Sequence, residues 1–163
     1  MNFLVGLFIA GLSFQTGPNH RLKVFEPLVN NTWIAEGVWA DGSSFYQEIS
    51  YYFDLEKSIV IANTRSYTSS DTNTIGNRNH GVRQFDSSSN AIRFWEFDRF
   101  GGLTEGTVEA NHNDIIYQYP YKNIKLTEYW QYKNDSTYHY TIGVRENKTW
   151  TSKYLETDFK LKK

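Results

Sequence analysis

The sequence predicts an all-β chain, folded as an antiparallel up-and-down barrel of about ten strands after a short N-terminal helical turn. Three observations predict it. Aromatic residues make up 17% of the 163 positions, with 12 Tyr, 11 Phe and 5 Trp, and aromatic and β-branched side chains favour strands. From Thr32 onward the text is a series of alternating segments cut by Asn, Asp, Gly and Ser turns. No helical pattern is long enough for the crossover of a dozen or more residues that parallel pairing requires. An antiparallel meander remains, and closing it removes its exposed edges. A two-sheet sandwich is the competing arrangement, but Greek-key topology needs at least one long return connection.

The elements follow in order. "MNFLVGLFIAGLSFQTG", residues 1–17, carries an apolar run from Phe3 to Phe14 that is too short to span a membrane, which takes roughly 20 residues. It fits the apolar region of a secretory signal, with Gly11 and Ser13 near a cleavage point, so export to a periplasmic or secreted location is expected. A buried first segment of a cytoplasmic protein is the alternative. One domain is expected over 18–163, long enough to bury a core without staples. "HRLKVFEPLV" places Leu22, Phe25, Leu28 and Val29 on helical spacing, and Pro27 limits this to a short turn.

The strand segments are "TWIAEGVW", then "SFYQEISYYFDL" after the hairpin signal Asp41-Gly42. "SIVIANTRSYT", "HGVRQFD", "AIRFWEFD" and "LTEGTVEA" come next, the last two joined by "RFGG". "IIYQYPY", "IKLTEYWQY", "TYHYTIGVRE" and "WTSKYLETDFKLK" complete the barrel.

Side chains alternate along a strand, so each segment divides into an inner and an outer set. The more apolar sets are Phe45, Gln47, Ile49, Tyr51 and Phe53 on the second strand and Ile59, Ile61, Asn63, Arg65 and Tyr67 on the third. On the seventh they are Ile115, Tyr117, Tyr119 and Tyr121; on the eighth, Leu126, Glu128, Trp130 and Tyr132; on the ninth, Tyr138, Tyr140, Ile142 and Val144. Around the Gly101-Gly102 turn, Glu96 is expected to point inward beneath Phe94, Asp98 to sit at the rim, and Glu105 to face solvent. The face assignments assume regular strands, and a bulge would invert those beyond it, most readily at Gly37, Gly106 or Gly143.

Gln47, Asn63, Arg65, Glu96 and Glu128 thereby become lumen polar groups among tyrosine and tryptophan rings. Mostly apolar walls with a few placed polar groups are the signature of a small-molecule site. The same groups could instead form a structural network in which Arg65 pairs with Glu96 or Glu128, since buried charges need partners whatever their role.

The stretch "PLVNNTWIAEGVWADGS" resembles the opening strand of bacterial lipocalin-like proteins of a family without assigned function. Trp33, Gly37, Asp41 and Gly42 match its pattern, while Asn31 and Ala35 stand where further glycines are expected. "EFDRFGGLTEGTV" and "LTEYWQY" resemble the middle and late strands of that family, and the resemblance covers most of residues 22–160. It implies a lipocalin-like, calycin-type barrel and no particular chemistry. More distantly the opening strand resembles nitrobindin-like haem-binding barrels, which use a late-strand histidine as iron ligand. His139 is the residue at issue, but its alternation with Thr141, Gly143 and Arg145 turns it outward, away from such a role.

The remaining chemistry is bounded by what is missing from the sequence. There is no cysteine, so disulfides, thiolate metal sites and a cysteine nucleophile are excluded. A net charge of −1 with 21% charged residues provides no basic field for nucleic acid. The histidines show no close ligand spacing, and no phosphate-binding, dinucleotide, EF-hand or serine-hydrolase motif occurs. No metal or cofactor is expected. The leading reading is therefore non-covalent binding of a small, largely apolar or aromatic molecule in the lumen. Gln47, Tyr51, Asn63, Arg65, Tyr117, Trp130 and Tyr140 would contact it, with Arg65 orienting a carboxylate or phenolate. The alternatives are a small-molecule acid–base enzyme of isomerase or lyase type using Glu96 and Glu128, and a structural or interaction barrel with a filled core. The sequence does not speak to oligomeric state.

Overall fold

The computed structural model of the chain describes residues 20–69 and 74–163. The signal-like segment at 1–17 lies outside the described residues. A 3-10 turn at Lys23–Phe25 precedes ten strands: β1 (Asn31–Val38), β2 (Ser44–Asp54), β3 (Ile59–Tyr67), β4 (Ile75–Asp86), β5 (Ala91–Asp98), β6 (Leu103–Asn111), β7 (Asp114–Tyr121), β8 (Ile124–Asn134), β9 (Thr137–Glu146) and β10 (Thr149–Leu161). Each strand pairs antiparallel with its sequence neighbour, and β1 closes on β10, which makes a continuous up-and-down barrel.

Short turns permit this meander. Gly42 at φ 86° and Gly101 at φ 87° take left-handed conformations that a side chain disfavours. The Asp41-Gly42 signal does mark a hairpin, although the loop is longer than two residues: Trp39 N–H bonds Ser43 O, and Asp41 Oδ1 accepts from Ser43 N–H and hydroxyl. The closing ladder between β1 and β10 is brief, covering the pairs Trp33–Leu161 and Ile34–Lys160. Side chains and flanking backbone extend it, with Thr157 Oγ1 donating to Glu36 O at 2.6 Å and Lys162 N–H to Thr32 O at 2.8 Å.

The two ends of the barrel differ. At one end the 3-10 turn lays Leu22, Phe25 and Leu28 across the opening, all fully buried, and Trp33 Nε1 donates to Leu28 O at 3.2 Å. Aromatic rings pack behind this plug: Trp130 stacks on Phe159 at 4.2 Å between centroids, and Trp33 meets Tyr138 edge-on at 5.2 Å. Such pairs add about 0.5–1.5 kcal/mol beyond their area burial. The other end opens into a cavity bordered by Trp39, Asp41, Arg78, Asp98, Tyr121 and Tyr154.

The inner faces of β2, β7, β8 and β9 are those expected from alternation, since Phe45, Ile49, Tyr117, Tyr119, Leu126, Trp130, Tyr140 and Ile142 all line the lumen. Strand β3 is inverted. Its pairing with β2 puts Thr64 opposite Ile49 and Ala62 opposite Tyr51, so Val60, Ala62 and Thr64 face inward. Ile59, Ile61, Asn63, Arg65 and Tyr67 take the outer face. Apolar residues occupy both faces of this strand: Ile61 stays 5% exposed although it lies outside, level with Tyr52 on β2 and Val82 on β4. Register shifts occur between Trp150 and Ser152 and between Lys153 and Leu155 on β10, either side of the Lys153–Gly143 pair. Gly37 and Gly106 sit in unbroken ladders with β2 and β5 respectively.

Candidate functional site

Alternation on β4 directs Asn79, Gly81 and Arg83 inward, opposite Asp98, Glu96 and Phe94 of β5. Arg83 is 3% exposed. Its Nη2 donates to Glu96 Oε1, its Nε donates to the Tyr117 hydroxyl at 3.2 Å, and Asn79 Nδ2 donates to Glu96 Oε2 at 3.1 Å. The guanidinium also lies over the faces of Tyr51, Phe94 and Tyr117, 5.3–5.9 Å from the ring centroids. Gly81 makes room for it, because a Cβ there would collide with Arg83 Nη1. Burial works against the Arg83 cation, but Tyr117, Glu96 and Tyr51 outweigh it and hold the group above its ordinary range.

A second polar group stands on the opposite wall. Glu128 of β8 accepts a hydrogen bond from the Tyr119 hydroxyl at 2.6 Å, and the Tyr140 hydroxyl also interacts with it. Burial pushes the Glu128 carboxyl above the usual range; the Tyr119 hydroxyl opposes the shift, the Glu96 charge adds to it, and Tyr140 and Arg83 oppose it. The Tyr119 and Tyr140 phenols are raised by burial and then by Glu128, so they remain protonated and donate. No Lys, Arg or His forms an ion pair with Glu128 among the described residues.

Between these groups lies a cavity of about 660 Å³, open at the Trp39 end. Phe45, Tyr51, Phe94, Tyr117, Trp130 and Tyr140 give it aromatic walls, and Gln47 and Thr104 add neutral polar groups. Glu96 and Glu128 both line it, as do Gln47, Tyr51, Tyr117, Trp130 and Tyr140.

Asn63 and Arg65 do not reach the lumen. Arg65 has a side chain 52% exposed and pairs with Glu48 at 3.3 Å on the outer surface. Asn63 is exposed, with its Oδ1 2.8 Å from His80 Nδ1. The expected lumen arginine is therefore Arg83, which sequence reasoning left unplaced on "HGVRQFD". A readable signal was present: Gly81 and Arg83 share a face, and a glycine two residues before a long side chain on a strand leaves space for it. Asp98 takes its expected place at the rim, accepting from Phe100 and Gly102 N–H at 2.7 and 2.9 Å. Glu105 faces outward and accepts from Trp95 Nε1 at 3.1 Å. His139 is on the outer surface, held by Asp158 at 2.8 Å and Glu156 at 2.9 Å. It has no position from which to ligate a group in the lumen. Among the described residues no cluster of His, Asp and Glu fit to hold a metal ion occurs, and no helix is long and apolar enough to cross a membrane.

No family model and no curated protein matches the chain. Among solved structures, the S-type phycobiliprotein lyase CPES from Guillardia theta matches in fold at a TM-score of 0.50 and 10% identity, over 85% of this chain and 89% of the lyase chain. At that identity the likeness is one of architecture: a lipocalin-like, calycin-type barrel.

Proposed function

We propose that the barrel binds a small, largely apolar or aromatic molecule non-covalently in its lumen. The carrying observation is the cavity itself: about 660 Å³, open at one end, with aromatic walls and a few fixed polar groups. Small-molecule sites typically occupy roughly 300–1,000 Å³ with that division of labour. A barrel whose interior served only stability would be filled by its own side chains. The likeness to a lyase barrel supports the architecture, and the lumen supports the ligand. The sequence resemblance to bacterial lipocalin-like proteins is compatible with this reading, as is export directed by residues 1–17.

Titration with the neutral fluorophore N-phenyl-1-naphthylamine tests it. Saturable one-to-one binding is expected, and Thr104→Trp, which places a large ring inside the lumen near its mouth, should weaken it by about 10-fold or more. A folded protein that fails to take up the dye would refute lumen binding.

A second reading is favoured by one observation, the unequal surroundings of two carboxyls in one cavity. Glu96 lies against Arg83, whereas burial raises Glu128 without a cation beside it. That division suits acid–base chemistry on a bound substrate. In that case Glu128→Gln would lower turnover by about 10²-fold or more while substrate binding persisted.

A further inference from the structure

Resting on the reading of the lumen as a binding site, we propose that its ligand is a lipophilic organic cation, an arylalkylamine whose ammonium group sits against Glu128. Three features of the cavity point to this class.

The first is the charge balance. Four acids, Asp41, Glu96, Asp98 and Glu128, line the cavity against two cations, Arg78 and Arg83. Even with Glu128 protonated, three carboxylates face two guanidinium groups, so a carboxylate or phosphate ligand would add to an excess of negative charge, whereas a cation would reduce it.

The second is the allocation of partners. Arg83, the cation deepest in the lumen, pairs with Glu96 through Nη2 and donates to the Tyr117 hydroxyl through Nε, while its Nη1 has no hydrogen-bond partner; the Glu96 carboxylate is further occupied by Asn79. Among the described residues Glu128 takes its hydrogen bonds from phenol hydroxyls, with Tyr119 at 2.6 Å, and forms no ion pair. A buried carboxyl without a counter-charge is costly when ionised, and an ammonium ligand supplies the missing charge. Burial disfavours the lone Glu128 charge, and it also weakens the screening of the ion pair once an ammonium draws the carboxyl into its ionised form.

The third is the wall chemistry. Trp130 and Tyr140, 5.5 Å apart and edge-to-face, stand with Tyr119 around the Glu128 position, since Glu128 pairs with Tyr117 on β7 and Ile142 on β9, one step along from Leu126 and Trp130. Electron-rich aromatic faces attract organic cations and take up the apolar remainder of an arylalkylamine. The carboxylate supplies the charge-assisted hydrogen bond and the rings supply the enclosure.

Three probes of matched shape separate this from the broader reading: 2-(1-naphthyl)ethylamine, 2-(1-naphthyl)ethanol and 1-naphthylacetate, titrated calorimetrically into the wild-type chain at pH 7.5. The amine should bind one-to-one and about 10-fold or more tighter than the alcohol, with the acetate weakest. Glu128→Gln keeps the shape and a hydrogen-bond acceptor for Tyr119, and should lower the ratio of amine to alcohol affinity by about 10-fold. Equal binding of amine and alcohol, or preferred binding of the acetate, would overturn the cation proposal while leaving lumen binding intact. An unchanged ratio in Glu128→Gln would also overturn it. Binding of none of the three would remove both readings together. The wild-type comparison stands on its own if the variant folds poorly.

Discussion

Arg83 is buried and ion-paired with the half-buried Glu96, whereas Glu128 is half-buried in the cavity wall and forms no ion pair among the described residues. The two residues therefore respond differently to pH and mutation. In the unfolded chain Glu128 ionises near the ordinary value of 4.5, and in the folded barrel only at higher pH, because burial disfavours its charge. Between those two points the folded state holds a proton that the unfolded state has released. The stabilising contribution is complete below about pH 4.5 and is lost as pH rises through the folded value, at up to about 1.4 kcal/mol per pH unit. Glu128→Gln cannot ionise and should lack this decline. Urea midpoints of wild type and variant, compared from pH 4.5 to 7.5, should diverge in favour of the variant as pH rises. A difference independent of pH would show that Glu128 ionises as easily folded as unfolded. Sequence alternation identified Glu128 and Glu96 as inward, but which arginine joined them was not legible from a single strand. Arg65 and Arg83 are alike in type, and only the pairing of β3 with β2 and β4 decides that one lies outside and the other inside.

At the scale of the elements, legibility depended on how unequal the two faces of a strand are. On β7, β8 and β9 the inner set carries most of the aromatic residues, and the text alone assigns it. On β3, Ile59 and Ile61 outside are as apolar as Val60 and Ala62 inside, because Tyr52 and Val82 flank Ile61 on the outer surface. With both faces apolar, composition has no vote and register decides. Glycines were readable as special positions but not as one kind of position. Gly143 faces the bulged part of β10, where a Cβ would run into the Ser152 carbonyl oxygen. Gly106 marks a tight crossing: a Cβ there would strike the Gln118 carbonyl oxygen and come within 2.9 Å of both Phe94 Cε1 and Tyr119 Cβ. Backbone cannot yield as a flexible side chain can, so Gly106→Ala should destabilise by about 1–3 kcal/mol and displace Tyr119 from Glu128. A shift in urea midpoint is the measurement, and a neutral variant would mean that β6 and β7 can part at little cost.

For the whole molecule, the division between a plugged end and an open end determines where each kind of chemistry can occur. Leu22, Phe25 and Leu28 seal one end over the stacked rings of Trp130 and Phe159. The lumen's ionisable groups lie in the other half, where Arg83, Glu96 and Glu128 meet a cavity and not a packed core. The all-β class, the strand number and the helical turn were legible because turns and aromatic content are local properties. The empty volume was not, since it is the difference between the space a closed sheet encloses and the side chains that fill it, and that difference belongs to no single residue.

The brief ladder between β1 and β10 gives the barrel one clasp in an otherwise continuous hoop. Its two residue pairs contrast with the nine that join β3 to β4. Local opening begins where the fewest hydrogen bonds must break at once, so deuterium should enter the amides of this seam before those of the β3–β4 ladder. Uniform protection around the barrel would show that Trp33, anchored to Leu28, holds the clasp as firmly as the longer ladders hold theirs. If the seam does part first, the sheet gains two temporary edges without losing its plug. The width of the lumen then becomes a fluctuating quantity, and a guest larger than the resting mouth could enter through the side wall.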